Sequence, residues 1–128
     1  MKIAVLITRT LLGLIFFGFG LAYFLKLLPT TVPPGPAGEF DKGLFATGYF
    51  FGFLKGVETL CGLFLILNKY TPLFLVMIFP VTVNIFLFHA FLEPSGLTMA
   101  APMLIINIFL GYAYRKYYAG LFTASPVV

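Results

Sequence analysis

Four long apolar runs, separated by short clusters of polar and turn-forming residues, make up most of the chain. None alternates with the period of two that a half-buried strand would need, and each is close to the ~20 residues that a helix requires to cross the hydrocarbon core of a bilayer. The pattern predicts helices over residues 3–28, 41–67, 72–92 and 97–114. Pro29 stops the first run. Residues 29–40 are expected as a loop, because the prolines in Val32-Pro33-Pro34-Gly35-Pro36-Ala37-Gly38 fix φ and remove backbone donors. Glu39 and Asp41 place negative charge at the positive end of the second helix. Asn68-Lys69-Tyr70-Thr71 reads as a tight turn, and Pro72 suits the first turn of the third helix. Glu93-Pro94-Ser95-Gly96 ends that helix, and Arg115 and Lys116 close the fourth. The fold class is therefore all-α: a single domain over 1–128 forming an up-and-down four-helix transmembrane bundle.

Composition strengthens this picture. Of the 128 residues, 61% are hydrophobic and only 9% charged, with 17 Phe, 7 Tyr and no Trp. A soluble domain carries charge on roughly a quarter of its residues. The formal net charge of +4 comes from Lys and Arg scattered at the flanks of apolar runs, so no nucleic-acid partner is expected. With the N-terminus inside, Lys2, Arg9, Lys69, Arg115 and Lys116 collect on the cytoplasmic side, against Lys26 and Lys42 outside. That bias places both termini in the cytoplasm of a multi-pass protein, with a bacterial inner (plasma) membrane as the expected location. The first run lacks a small-residue cleavage site and is read as a retained helix rather than a signal peptide.

Polar residues inside apolar runs are the candidates for chemistry, since a charge in hydrocarbon costs several kcal/mol by insertion scales. Lys55 and Glu58 lie three apart on one helix face. The third helix carries Pro80, Asn84, His89 and Glu93; Pro80 removes a backbone hydrogen bond, and the Asn84 amide is placed to satisfy freed groups or a partner helix. His89 is placed to donate to a carboxylate or to hydrogen-bond a ligand carbonyl. In the fourth helix Pro102 and Asn107 repeat the Pro–Asn arrangement. Lys55, Glu58, Asn84, His89 and Asn107 are expected to meet in one polar interior, with Arg9 near its cytoplasmic mouth. Their use is either functional, to bind a ligand or carry protons, or structural, to fix helix register. Gly48, Gly52 and Gly56, spaced by four, are read as a face for close helix packing.

One His without a second evident ligand gives no metal site, and haem is not expected. Cys61 stands alone, so no paired-cysteine redox chemistry is available. No nucleophile with a paired base and no phosphate-binding loop is present. No catalytic residues are assigned, and an enzyme of this kind would borrow its chemistry from a cofactor or a partner.

Several stretches resemble the DoxX-like membrane proteins, in the same order along nearly the whole chain. They are Leu12-Gly13-Leu14-Ile15-Phe16, Thr47-Gly48-Tyr49, Gly56-Val57-Glu58-Thr59-Leu60, Leu65-Ile66-Leu67-Asn68-Lys69-Tyr70, the run from Pro80 to His89, Leu92-Glu93-Pro94-Ser95-Gly96 and Tyr114-Arg115-Lys116. The resemblance implies a four-helix fold shared with small subunits of thiosulfate:quinone oxidoreductases and with bacterial quinone-response proteins. More remotely it implies likeness to eukaryotic cargo receptors and a receptor-assembly chaperone. Glu58, Asn84 and His89 match its recurrent polar positions, without an agreed role. The expected function is an accessory subunit, as a monomer or homodimer, that binds a quinone-like or lipid-like molecule beside a redox partner. The alternatives are a chaperone or cargo receptor for other transmembrane helices and, further off, a small transporter.

Overall fold

The first apolar run folds as α1 (Lys2–Phe24), which ends four residues before its hydropathy suggests. Lys26 takes a left-handed conformation at φ 59°, and the N–H groups of Lys26 and Leu27 fold back onto the carbonyls of Tyr23 and Ala22 at 3.1 and 2.9 Å. This paired C-terminal closure ends the helix before Pro29 is reached. The computed structural model describes residues 1–29 and 31–128; Thr30, in the expected loop, lies outside the described residues.

The second run differs most from expectation. It forms two helices, α2 (Pro36–Ala46) and α3 (Phe50–Leu67), broken at Thr47-Gly48-Tyr49. Gly48 sits at φ +77°, where a side chain is strained, and the Thr47 hydroxyl accepts the Phe50 N–H at 3.1 Å to start α3. Pro36 lies at the start of α2 rather than in a loop: its fixed φ and missing donor suit a first helical turn, where no intrahelical partner exists for that donor. At eleven residues, α2 is far short of the ~20 needed to cross a bilayer.

Asn68, left-handed at φ 53°, closes α3, and α4 (Thr71–Phe91) follows with Pro80 inside it. A short 3-10 turn at Pro94–Gly96 leads into α5 (Leu97–Ala113), which contains Pro102, and a second 3-10 segment, Arg115–Phe122, ends the ordered helical structure. Four helical stretches, Lys2–Phe24, Phe50–Leu67, Thr71–Phe91 and Pro94–Ala113, are long and apolar enough to span a membrane. The protein is an all-α four-helix bundle of the multi-pass membrane class, with no strand among the described residues.

The bundle closes as a ring, α1 against α3, α3 against α4, α4 against α5, and α5 back against α1. Its core is Leu12, Phe16, Cys61, Leu65, Phe74, Leu75, Ile78, Met103 and Leu110. The α1–α3 contact is the tightest, and glycine makes it possible. A Cβ at Gly62 would lie 2.7 Å from the Gly13 carbonyl oxygen and 2.9 Å from Phe17 Cα, and one at Gly20 would meet the backbone of Thr59. The predicted packing face is therefore displaced within the bundle: Gly48 lies in the break, and among the described residues no neighbouring element comes within 4 Å of where a Cβ on Gly52 or Gly56 would stand. Spacing by four identifies a glycine face but not the neighbour that covers it.

Arg9 occupies the end of the bundle that holds the chain termini. It is 6% exposed, and its guanidinium donates to the carbonyls of Leu65 and, at 3.2 Å, Ile66. These belong to the last turn of α3, where carbonyls lack intrahelical donors and the helix dipole favours a cation. The Tyr118 hydroxyl donates to the Pro72 carbonyl at 2.8 Å, tying the C-terminal segment to the start of α4 at the same end.

Candidate functional site

The opposite end of the bundle holds an open-mouthed cavity of about 590 Å³ lined by α1, α2, α3, α4 and the start of α5. Phe16, Phe19, Phe40, Phe50, Phe51, Phe53 and Phe88 dominate its walls. The helix α2 lies across it, held to α3 by stacked rings of Phe45 and Phe51 (centroids 4.2 Å apart) and to α4 by Phe40 against Phe88 (5.4 Å). The break at Gly48 makes this possible, because a continuous helix would carry residues 36–46 away from the bundle rather than over it.

Four of the five predicted polar residues line this cavity: Lys55, Glu58, Asn84 and His89. One turn of α3 separates Lys55 from Glu58, and Lys55 Nζ stands 3.0 Å from Glu58 Oε2. The Glu58 side chain is 4% exposed and that of Lys55 18%, so the ammonium reaches towards the open end while the carboxylate stays inside. The ammonium beside it offsets part of the cost of burying the carboxylate. Apart from this ion pair, Glu58 Oε2 has no hydrogen-bond donor among the described residues.

His89 is placed by the turn that follows α4. Its Nδ1 lies 3.1 Å from the backbone carbonyl of Glu93, and the Glu93 carboxylate is more distant, at 4.0 Å. An i, i+4 spacing brings the imidazole and the Glu93 carboxylate onto one face, but the chain reversal at Pro94–Gly96 brings the backbone carbonyl closer. Gly96 completes the arrangement, since a Cβ there would run into the imidazole ring. That role escapes a reading of sequence, in which Gly96 serves only as a helix stop.

Asn84 faces the cavity from an exposed position and makes no side-chain hydrogen bond among the described residues, so it does not repair the backbone at Pro80. Thr82, fully buried one turn above Ile78, bonds the Ile78 carbonyl at 3.1 Å. Asn107 departs from the predicted cluster: it is 3% exposed, off the cavity wall, and its Oδ1 has no donor among the described residues. Arg9, expected at the mouth of the polar interior, caps α3 at the other end of the bundle.

The mouth holds one acid that the polar-core prediction left out. Asp41 reaches the cavity from α2, and burial, together with the nearby Glu93 carboxylate, raises its carboxyl above the ordinary 3.8. Asp41, Phe51 and Lys55 also line an outer cleft of about 950 Å³ that includes Lys26 and Lys42, so the two spaces adjoin. Among the described residues no three His, Cys, Asp or Glu side chains cluster as metal ligands would. The arrangement can bind an apolar, ring-sized molecule and hold its polar groups at one wall.

No family model matches this chain, and neither a curated protein nor a solved structure does.

Proposed function

We propose that the protein is a multi-pass subunit that binds a quinone-like or lipid-like molecule in the cavity between α3 and α4, in support of a redox partner. The observation that carries this reading is the combination of a phenylalanine-walled cavity of about 590 Å³ with Lys55, Glu58, Asn84 and His89 on its wall. Ligand sites are largely apolar with a few placed polar groups, and ionisable residues within a membrane span are costly enough to mark function. The site supplies binding groups, so electron transfer falls to the partner. The resemblance to DoxX-like proteins points the same way. The excess of Lys and Arg at the end holding the termini supports a cytoplasmic placement of both, in a bacterial inner membrane.

Photolabelling of the full chain in nanodiscs with an azido-benzoquinone tests the site. Labelled peptides are expected from 50–58 and 80–89, with labelling suppressed by excess unlabelled benzoquinone and reduced in Asn84→Leu, which removes a wall amide able to donate to a quinone carbonyl. Unchanged labelling in that variant, or labels confined to the outer lipid-facing surface, would end this assignment.

A second reading rests on the open glycines of α3. Gly52 and Gly56 leave space on a helix face, where the backbone of another transmembrane helix could approach closely, as a chaperone, cargo receptor or homodimer requires. Cysteine crosslinking from position 52 or 56 in native membranes distinguishes it: a crosslinked partner helix supports this reading, and its absence counts against it.

A further inference from the structure

Resting on the reading of the cavity as a ligand site, the geometry points to a more specific ligand: an aromatic ring bearing hydroxyl groups, bound in preference to the same ring bearing carbonyls. The reason lies in which hydrogen-bonding groups the protein has already used. A backbone carbonyl only accepts, so the contact between His89 Nδ1 and the Glu93 oxygen fixes the proton of a neutral ring on Nδ1. Nε2, on a residue that lines the cavity, is then an acceptor without a partner among the described residues. Gly96 packs against the Nδ1 side of the ring and holds it in that arrangement.

Glu58 supplies the second acceptor: beyond the Lys55 ion pair its Oε2 has no donor among the described residues, on a residue 97% buried and on the cavity wall. Lys55, the nearest donor, sits beside that same oxygen. The cavity thus presents two acceptors in need of protons, with Asn84 able to serve either way. A buried acceptor left without a donor is costly, and a hydroxyl donating to a carboxylate is among the stronger hydrogen bonds. A quinone offers further acceptors and leaves both atoms unsatisfied; a hydroquinone offers two donors.

An ammonium head group could also donate, but it would sit against Lys55, which already balances the Glu58 charge at 3.0 Å. A neutral hydroxyl meets no such repulsion. The phenylalanine walls favour an aromatic carrier for those hydroxyls over a sugar or glycerol, since offset and edge contacts between rings add to simple burial. The protein would therefore hold the reduced member of a quinone pair and release the oxidised one more readily.

The test uses the full chain in nanodiscs under anaerobic conditions, with three probes of one carbon skeleton: a short-tailed prenyl hydroquinone, its benzoquinone and its dimethyl ether. Competition against a tritiated hydroquinone is expected to show the hydroquinone binding at least about tenfold more tightly than the other two, as two newly satisfied acceptors imply. Glu58→Gln and His89→Phe should each reduce the ratio of hydroquinone to ether affinity several-fold. Equal affinity for all three probes in the unmutated protein overturns this inference and leaves the cavity as a ligand site. Tighter binding of the quinone overturns it as well. Failure of all three probes to bind removes the underlying reading together with it. The comparison of probes on the unmutated protein needs no variant to fold.

Discussion

The guanidinium of Arg9 donates to the carbonyl oxygen of Leu65, joining residues 56 positions apart in sequence. The contact places a permanent cation against the carbonyl end of α3 in the most closely packed interface of the bundle. Arg9→Met removes the charge and leaves the Ile66 carbonyl without its side-chain donor, at an expected cost of about 1.5–3 kcal/mol, the range for hydrogen bonds to charged groups. Arg9→Lys should fall between the two, because it keeps the charge while its shorter side chain stops short of the position from which Arg9 Nη1 reaches both carbonyls. Thermal unfolding in detergent, followed by circular dichroism, orders the three proteins.

Two glycines on the same helix should respond in opposite ways to one added methyl. Gly62→Ala forces a Cβ to 2.7 Å from the Gly13 carbonyl oxygen and is expected to cost about 1–3 kcal/mol. Gly56→Ala meets nothing within 4 Å and should be neutral or stabilising by up to about 1 kcal/mol through helix propensity. Melting temperatures of the pair in the same detergent decide the matter; a destabilised Gly56→Ala would show that α3 has a further neighbour at that face.

The Lys55–Glu58 pair should be worth more when broken than when replaced. Lys55→Met leaves a nearly buried carboxylate without its counter-charge, at about 3 kcal/mol or more, whereas Lys55→Met with Glu58→Leu removes both charges and should recover most of the loss. A double-mutant cycle on unfolding free energies reads the coupling directly.

Asp41 gives the protein a pH dependence of definite sign. Its folded carboxyl is raised above 3.8 by burial and by Glu93, so the folded state holds the proton more tightly than the unfolded chain. The stabilisation is complete below 3.8 and is lost as pH rises from that value through the raised one. Melting temperature should fall over that interval in the native protein and fall less in Asp41→Asn.

Tyr118→Phe deletes the hydroxyl that reaches the Pro72 carbonyl. It should cost about 0.5–1.5 kcal/mol and increase amide hydrogen exchange over residues 115–122.

The bundle itself was legible in the sequence because lipid imposes so simple a rule: long apolar runs and polar punctuation can only be spans and turns. The polar side of the cavity was legible for a related reason, since Lys55, Glu58, Asn84 and His89 stand out where charge and amide are costly. Features set by backbone conformation were not. Gly48 fits a helical spacing of four and yet takes a positive φ, a choice governed by the packing of Phe40 and Phe45 on their neighbours. Pro36 looks like a helix breaker until it is known to stand at a helix start. Arg9 signals a membrane flank by composition, while its real partners are backbone carbonyls that carry no sequence signature. Asn107 shows the limit from the other side: spacing puts it in the interior, but not on the cavity wall.

The Arg9 contact also sets an order of events during biogenesis. A ribosome releases α1 before residues 65 and 66 emerge, so the guanidinium enters the membrane region with no partner of its own chain. Until α3 arrives it must be solvated by water, lipid head groups or the insertion machinery, each of which holds it near the surface. Final seating of the first helix is therefore delayed until the third has been synthesised, and truncation before Leu65 should leave α1 inserted at a shallower depth.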